Sequence, residues 1–184
     1  MSAADVQVRI EEIDAGSRGS FRARRTGPAG GPPVLLLHGF PETSCCWAAQ
    51  LPVLADAGRE VVAFDQRGYS PGARPDVVDA YKPAELVADV VAVADALGWP
   101  HFDLVAHDFG GMVAWMVAGH HADRVRTLAV ASTPHPVAFR AGYLERSGDQ
   151  HERSGYFRAF REAARGELEA SLLADGAAGL RRLY

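Results

Sequence analysis

The chain has 184 residues, 48% of them hydrophobic and 23% charged. That is the composition of a globular domain with one real core, and it excludes a disordered chain. With 19 basic residues against 23 acidic ones and a net charge of −4, no basic stripe is offered to a phosphate backbone, and nucleic-acid binding is not expected.

The apolar runs are strand-length, too short for a membrane helix, and the N-terminus carries no basic-then-apolar leader. The two cysteines, Cys45 and Cys46, are adjacent, which leaves no long-range disulfide within the chain. Together these features predict a cytoplasmic protein with reduced thiols and no membrane association.

In chain order, Val6, Val8 and Ile10 alternate with polar residues and Phe21 to Arg25 follows a Gly-Ser break, which predicts an antiparallel strand pair. Arg22, Arg24 and Arg25 are expected on a solvated strand face. The turn cluster from Gly27 to Pro33 ends the second strand. Val34 to Leu37 is apolar at every position, as in a strand buried on both faces of a parallel sheet. A helix is predicted over Trp47 to Ala57 and a buried strand over Val61 to Phe64.

Pro83 to Leu97 repeats apolar residues at three- and four-residue intervals (Leu86, Val87, Val90, Val91, Ala94), an amphipathic helix with Pro in its first turn and Gly98 beyond its end. Phe102 to Ala106 reads as a strand, Gly111 to His120 as a helix and Arg126 to Ala131 as a strand. This alternation predicts an α/β fold, a mostly parallel sheet with flanking helices. From residue 137 to 184 no strand-like run remains and charges lie over Ala and Leu, which predicts two or three helices outside the sheet.

Chemistry concentrates where predicted strands end. In Leu104-Val105-Ala106-His107-Asp108-Phe109-Gly110-Gly111 a buried strand turns into a helix at Asp108. The small residues Ala106 and Gly110 stand two positions to either side. This is the spacing of a nucleophile elbow, with Asp at the nucleophile position. The other reading of Asp108 is an N-cap for the following helix. His38-Gly39-Phe40-Pro41-Glu42 follows the first buried strand, and Asp65-Gln66-Arg67-Gly68-Tyr69-Ser70 follows the next. No Cys/His cluster has metal-ligand spacing and no glycine-rich loop carries a phosphate-binding Lys, so neither metal nor cofactor is expected.

With these three loops in this order, and with Thr133-Pro134-His135-Pro136 after the last strand, the chain resembles the α/β-hydrolase superfamily, in its epoxide hydrolase and haloalkane dehalogenase branch. The resemblance implies an α/β-hydrolase core over residues 1–136 and the start of a helical cap over 137–184. It implies Asp108 as nucleophile, forming an alkyl-enzyme ester that water later hydrolyses. The backbone N–H groups of Phe40 and Phe109 become the oxyanion hole, with His38, Gly39, Pro41, His107, Gly110 and Gly111 as the residues that shape the two loops. The substrate it implies is a small hydrophobic epoxide, with water as co-substrate.

For the epoxide oxygen the resemblance offers Tyr156 as a cap tyrosine, beside Tyr143 and Tyr184. Arg153 stands where the family's first cap tyrosine usually lies. Halide binding in the dehalogenases uses an indole N–H after the nucleophile, and Phe109 has none.

In this fold the acid and the base His come late in the chain. None of His38, His101, His107, His120, His121, His135 and His151 follows a strand beyond the cap, so no base is assigned. The expectation is therefore the N-terminal portion of a hydrolase, not competent for turnover alone. Two alternatives stay open: a dehalogenase-like hydrolase, and a non-catalytic remnant that binds a partner along the exposed edge of its last strand.

Overall fold

The structure, a computed structural model, describes residues 7–145, 149–164 and 166–182. Six strands form one sheet: β1 (Arg9–Asp14), β2 (Ser20–Thr26), β3 (Pro33–Leu37), β4 (Glu60–Phe64), β5 (Phe102–His107) and β6 (Val125–Ala131), in the spatial order β1-β2-β4-β3-β5-β6. The pairs β1–β2 and β2–β4 are antiparallel, and the pairs among β4, β3, β5 and β6 are parallel. Val6, expected in the first strand, lies outside the described residues.

The central position of β3 explains its unbroken apolar run. Leu35 and Leu37 face one side, with Phe21, Val62, Phe64, Phe102, Leu104 and Ala106. Val34 and Leu36 face the other, with Val61, Ala63, Trp47 and Leu51. Each fully buried large side chain contributes about 1.5–3 kcal/mol by leaving water.

The first face is covered by α2 (Pro83–Ala96) through Leu86, Val87, Val90 and Val93, and by α3 (Phe109–His120) through Val113, Ala114 and Val117. The end of α2 is set by Gly98 at φ 72°. Gly98 N–H donates to Asp95 O and Trp99 N–H to Ala94 O, each at 2.9 Å, the paired bonds of a Schellman motif.

The second face carries α1 (Gln50–Asp56). Here the helix predicted over Trp47 to Ala57 is corrected. Ser44–Trp47 is a 3-10 turn, and the α-helix starts only at Gln50. Ser44 N–H donates to the Asp65 carboxylate at 2.7 Å, which fixes the tighter turn. The expectation of a solvated arginine face holds for Arg22, which is exposed, and is corrected for Arg24 and Arg25. Arg25 pairs with the buried carboxylate of Glu60 and with Glu11, and Arg24 Nε is buried.

β6 is the outer strand, and among the described residues its far edge has no strand partner. The described residues fall into two compact units that divide the chain between Thr133 and Pro134. The second contains α4 (Pro136–Glu145), α5 (Asp149–Arg153), α6 (Tyr156–Glu162) and α7 (Glu167–Arg181), the last interrupted by non-helical backbone over Ala174–Ala177. That is four segments where two or three were expected. Positive φ at Asp175, Gly176 and Ala177 divides α7, and Gly166 at φ 84° precedes it. No helix among the described residues is long and apolar enough to cross a membrane.

Candidate active site

Register brings the three loops together. Leu37 pairs with Phe64 on one side and Ala106 on the other, so β3, β4 and β5 end at one level. Parallel sheets place ligand sites at this carboxyl edge.

At that edge Asp108 joins β5 to α3 with φ 51° and ψ −121°. A non-glycine residue held at positive φ stores about 1–3 kcal/mol, which its surroundings must offset. Asp108 N–H donates to Ala131 O at 3.2 Å, and Gly111 N–H and Met112 N–H donate to Asp108 O. Thr133 Oγ1 donates to the same oxygen at 2.7 Å.

The two glycines after the elbow are required by contact. A Cβ on Gly110 would stand 2.5 Å from His38 O and 2.7 Å from Leu37 O, and one on Gly111 would stand 2.6 Å from Thr133 Oγ1. Gly39 answers from the other loop, where a Cβ would stand 2.6 Å from Asp108 Cβ.

The position of the carboxylate speaks against the N-cap reading of Asp108. It makes no capping hydrogen bond to α3. Instead Oδ1 accepts the Phe40 N–H at 2.9 Å, across 68 residues of sequence. Phe109 is the first residue of α3, where backbone N–H groups have no partner within the helix. The rings of Phe40 and Phe109 are both exposed.

His38 is fully buried and both of its ring nitrogens are engaged. Nε2 accepts the Gln66 N–H at 3.0 Å, and Nδ1 lies 2.9 Å from Gly39 O. A backbone N–H only donates, so Nε2 is bare and Nδ1 carries the proton. Burial holds the imidazole below its ordinary value of 6.5, against opposing contributions from the Gly39 carbonyl, Asp65 and Glu42. His38 is thus a neutral structural donor. Tyr69 packs edge-on against it at 4.7 Å between ring centroids.

On β5, His107 Nδ1 lies 3.3 Å from Glu42 Oε2. Burial and the Glu42 charge push the Cys46 thiol up to about 12, while Cys45 is exposed. Both thiols are free.

The Asp65-to-Ser70 loop supports the site from behind. Arg67 grips the buried carboxylate of Asp89 with Nε and Nη2, both at 2.6 Å, and Arg18 Nε adds a third bond. Asp89 on α2, Gln66 and Thr133 were not singled out from the sequence as parts of the site. Gln66 stood inside a motif, two residues after the apolar run Val61 to Phe64, which is where a buried polar residue needs a partner. Asp89 offered no signal beyond a charge on the apolar side of α2.

Within the second unit, Tyr156 is exposed on α6, its ring 4.4 Å from that of Phe157 and 6.0 Å from that of Phe160. Tyr143 stacks on Phe139, and Arg153 pairs with Asp149 at 2.7 Å. Tyr184 lies outside the described residues. Among the described residues no group of three or more His, Cys, Asp or Glu side chains could hold a metal ion.

Residues 32–184 match the family described as alpha/beta hydrolase fold. Epoxide hydrolase A of Mycobacterium tuberculosis is 44% identical over 114 residues, covering 62% of this chain and 35% of its own length. Epoxide hydrolase 4 of Mus musculus is 39% identical over 153 residues, covering 83% of this chain and 41% of its own. Among solved structures, the epoxide hydrolase of Bacillus megaterium in complex with an inhibitor aligns with a TM-score of 0.84 at 29% identity, covering 94% of this chain and 58% of that one. The matched part of the chain thus spans 35% and 41% of the length of these two curated relatives.

Proposed function

This chain belongs to the α/β-hydrolase fold family and is epoxide-hydrolase-like, and on that premise we propose that Asp108 is a carboxylate nucleophile that opens an epoxide. The observation that carries the reading is the Asp108 carboxylate, turned away from the cap position of α3 and held by the Phe40 N–H at 2.9 Å.

With Oδ1 held in this way, Oδ2 is the oxygen that attacks the less hindered epoxide carbon. The carbon–oxygen bond of the ring breaks, its electron pair stays on the epoxide oxygen, and that oxygen takes up a proton to become a hydroxyl. The product is a hydroxyalkyl ester of Asp108. Oδ1 is then the ester carbonyl oxygen, already beside the Phe40 donor. Phe109 N–H is the second donor for the negative charge that develops there when water attacks.

Residues 137–184 are the start of a cap in this reading, and Tyr156 is its candidate proton donor to the epoxide oxygen. No histidine of the chain is assigned to activate water, so ester formation is the step attributed to these residues. An alkyl halide suits the site less, because Phe109 offers the leaving halide no side-chain N–H. A cytoplasmic setting with both thiols reduced belongs to the same proposal.

Incubation with a small terminal epoxide should raise the intact mass by one epoxide per chain, and Asp108→Asn should abolish the increase. Absence of the adduct from the wild type, or its persistence in Asp108→Asn, contradicts the assignment. The open edge of β6 favours a second reading, in which the chain pairs along that strand with another. Size-exclusion chromatography tests it, since a monomer at all concentrations contradicts such pairing.

A further inference from the structure

We propose that Gln66 is a positioning residue for the Phe40 N–H, acting through the backbone of the loop from His38 to Phe40; the inference rests on the reading of Phe40 and Asp108 above. Gln66 is 3% exposed, and its side chain points neither at solvent nor at the carboxylate. Its Nε2 donates to His38 O at 2.6 Å, and its own backbone N–H donates to His38 Nε2 at 3.0 Å.

These two bonds control consecutive peptide units. The first holds the carbonyl of the His38–Gly39 peptide. The second dictates the tautomer of His38, which puts the ring proton on Nδ1 and directs it at Gly39 O at 2.9 Å. Glu42 N–H donates to the same oxygen at 3.0 Å.

Gly39 O and the Phe40 N–H belong to one planar peptide and point in opposite directions. Anchoring the carbonyl on the buried side therefore aims the N–H at Asp108 Oδ1. A glycine lies between the two anchored carbonyls, and glycine is the residue whose backbone rotates most freely. Without the Gln66 amide, the His38 carbonyl loses the 2.6 Å hydrogen bond that holds it. Gln66 touches neither substrate nor nucleophile, so its effect on the reaction is one of geometry.

The test uses Gln66→Leu, which removes the donor at similar volume, and Gln66→Glu, which faces the His38 carbonyl with a repelling carboxylate until it is protonated and can donate again. Amide hydrogen exchange of Phe40 is read by NMR beside strand amides of β3 and β5, and thermal unfolding checks the fold. In Gln66→Leu the Phe40 amide should exchange about tenfold faster, the loss of one net hydrogen bond, while strand amides stay unchanged.

In Gln66→Glu the exchange, taken relative to the wild type at each pH, should slow as pH falls, because the donor returns. Should Gln66→Leu fail to fold, the pH dependence of Gln66→Glu decides alone. Phe40 exchange within about twofold of the wild type in every folded variant and at every pH overturns the proposal.

Ester formation on Asp108 is followed in parallel and should slow about tenfold in Gln66→Leu. A wild type that forms no ester refutes the nucleophile assignment, while Phe40 exchange still judges Gln66.

Discussion

Gly110→Ala is the sharpest steric probe of how the elbow sits on the sheet. The added Cβ would lie 2.5 Å from His38 O, 2.7 Å from Leu37 O and 2.8 Å from Leu37 C. All three are backbone atoms of β3 or its exit, so no flexible side chain can move aside. Ordinary van der Waals contact begins near 3.4 Å, so the start of α3 must retreat from β3 by up to about 0.9 Å. Asp108 moves with it, while Phe40 stays with the β3 loop. A hydrogen bond of 2.9 Å stretched by that amount is no longer one. Misplacement on the order of 1 Å costs about a hundredfold in rate, and overpacking costs about 1–3 kcal/mol in stability. Intact-mass kinetics of epoxide addition and urea unfolding of the same sample read the two effects separately. A Gly110→Ala chain that forms the ester at the wild-type rate would refute the contact argument.

Asp89→Asn should destabilise the chain by about 3–5 kcal/mol in urea unfolding, because Arg67 is left buried against a neutral amide; Arg67 and Asp89 side chains are only 8% and 3% exposed. A loss below about 1 kcal/mol would place this ion cluster among the weak surface pairs. Because the native pKa of His38 lies below the unfolded value of 6.5, the unfolded chain takes up a proton that the native chain refuses. Stability that is complete above 6.5 is then lost as pH falls from there toward the depressed native pKa. Urea midpoints should decline from about pH 7.5 to pH 5.5, less steeply in His38→Gln, and equal slopes would contradict the buried neutral imidazole. Iodoacetamide should alkylate exposed Cys45 and spare Cys46, whose thiol is pushed up to about 12; peptide mapping that finds both modified at one rate would be inconsistent with that burial.

What could be read from the sequence depended on how local the cause was. Val34 to Leu37 announced a doubly covered central strand because burial on both faces is written into every residue of the run. Pro83 and Gly98 announced the ends of α2 because their backbone preferences act within one turn. The elbow was legible for the same reason, since small residues beside Asp108 reflect contacts that the bend itself enforces. The N-cap alternative could not be set aside from the sequence, because the bond that draws the carboxylate away from α3 joins Asp108 to Phe40, 68 positions away.

Distance in the chain likewise hid Asp89 and Gln66, whose partners lie in other elements. The 3-10 turn at Ser44–Trp47 was read as α-helix because its cause is the carboxylate of Asp65, outside the segment. In the second unit the apolar pattern was weak, and the break inside α7 comes from positive φ at residues such as Asp175 and Ala177, which the sequence does not mark.

Tandem mass spectrometry of the chain after epoxide treatment tests the nucleophile assignment most directly. The predicted result is a single hydroxyalkyl ester on Asp108, in the peptide that contains His107 to Gly111. An adduct on Cys45, a histidine or another carboxylate, with Asp108 unmodified, would contradict it.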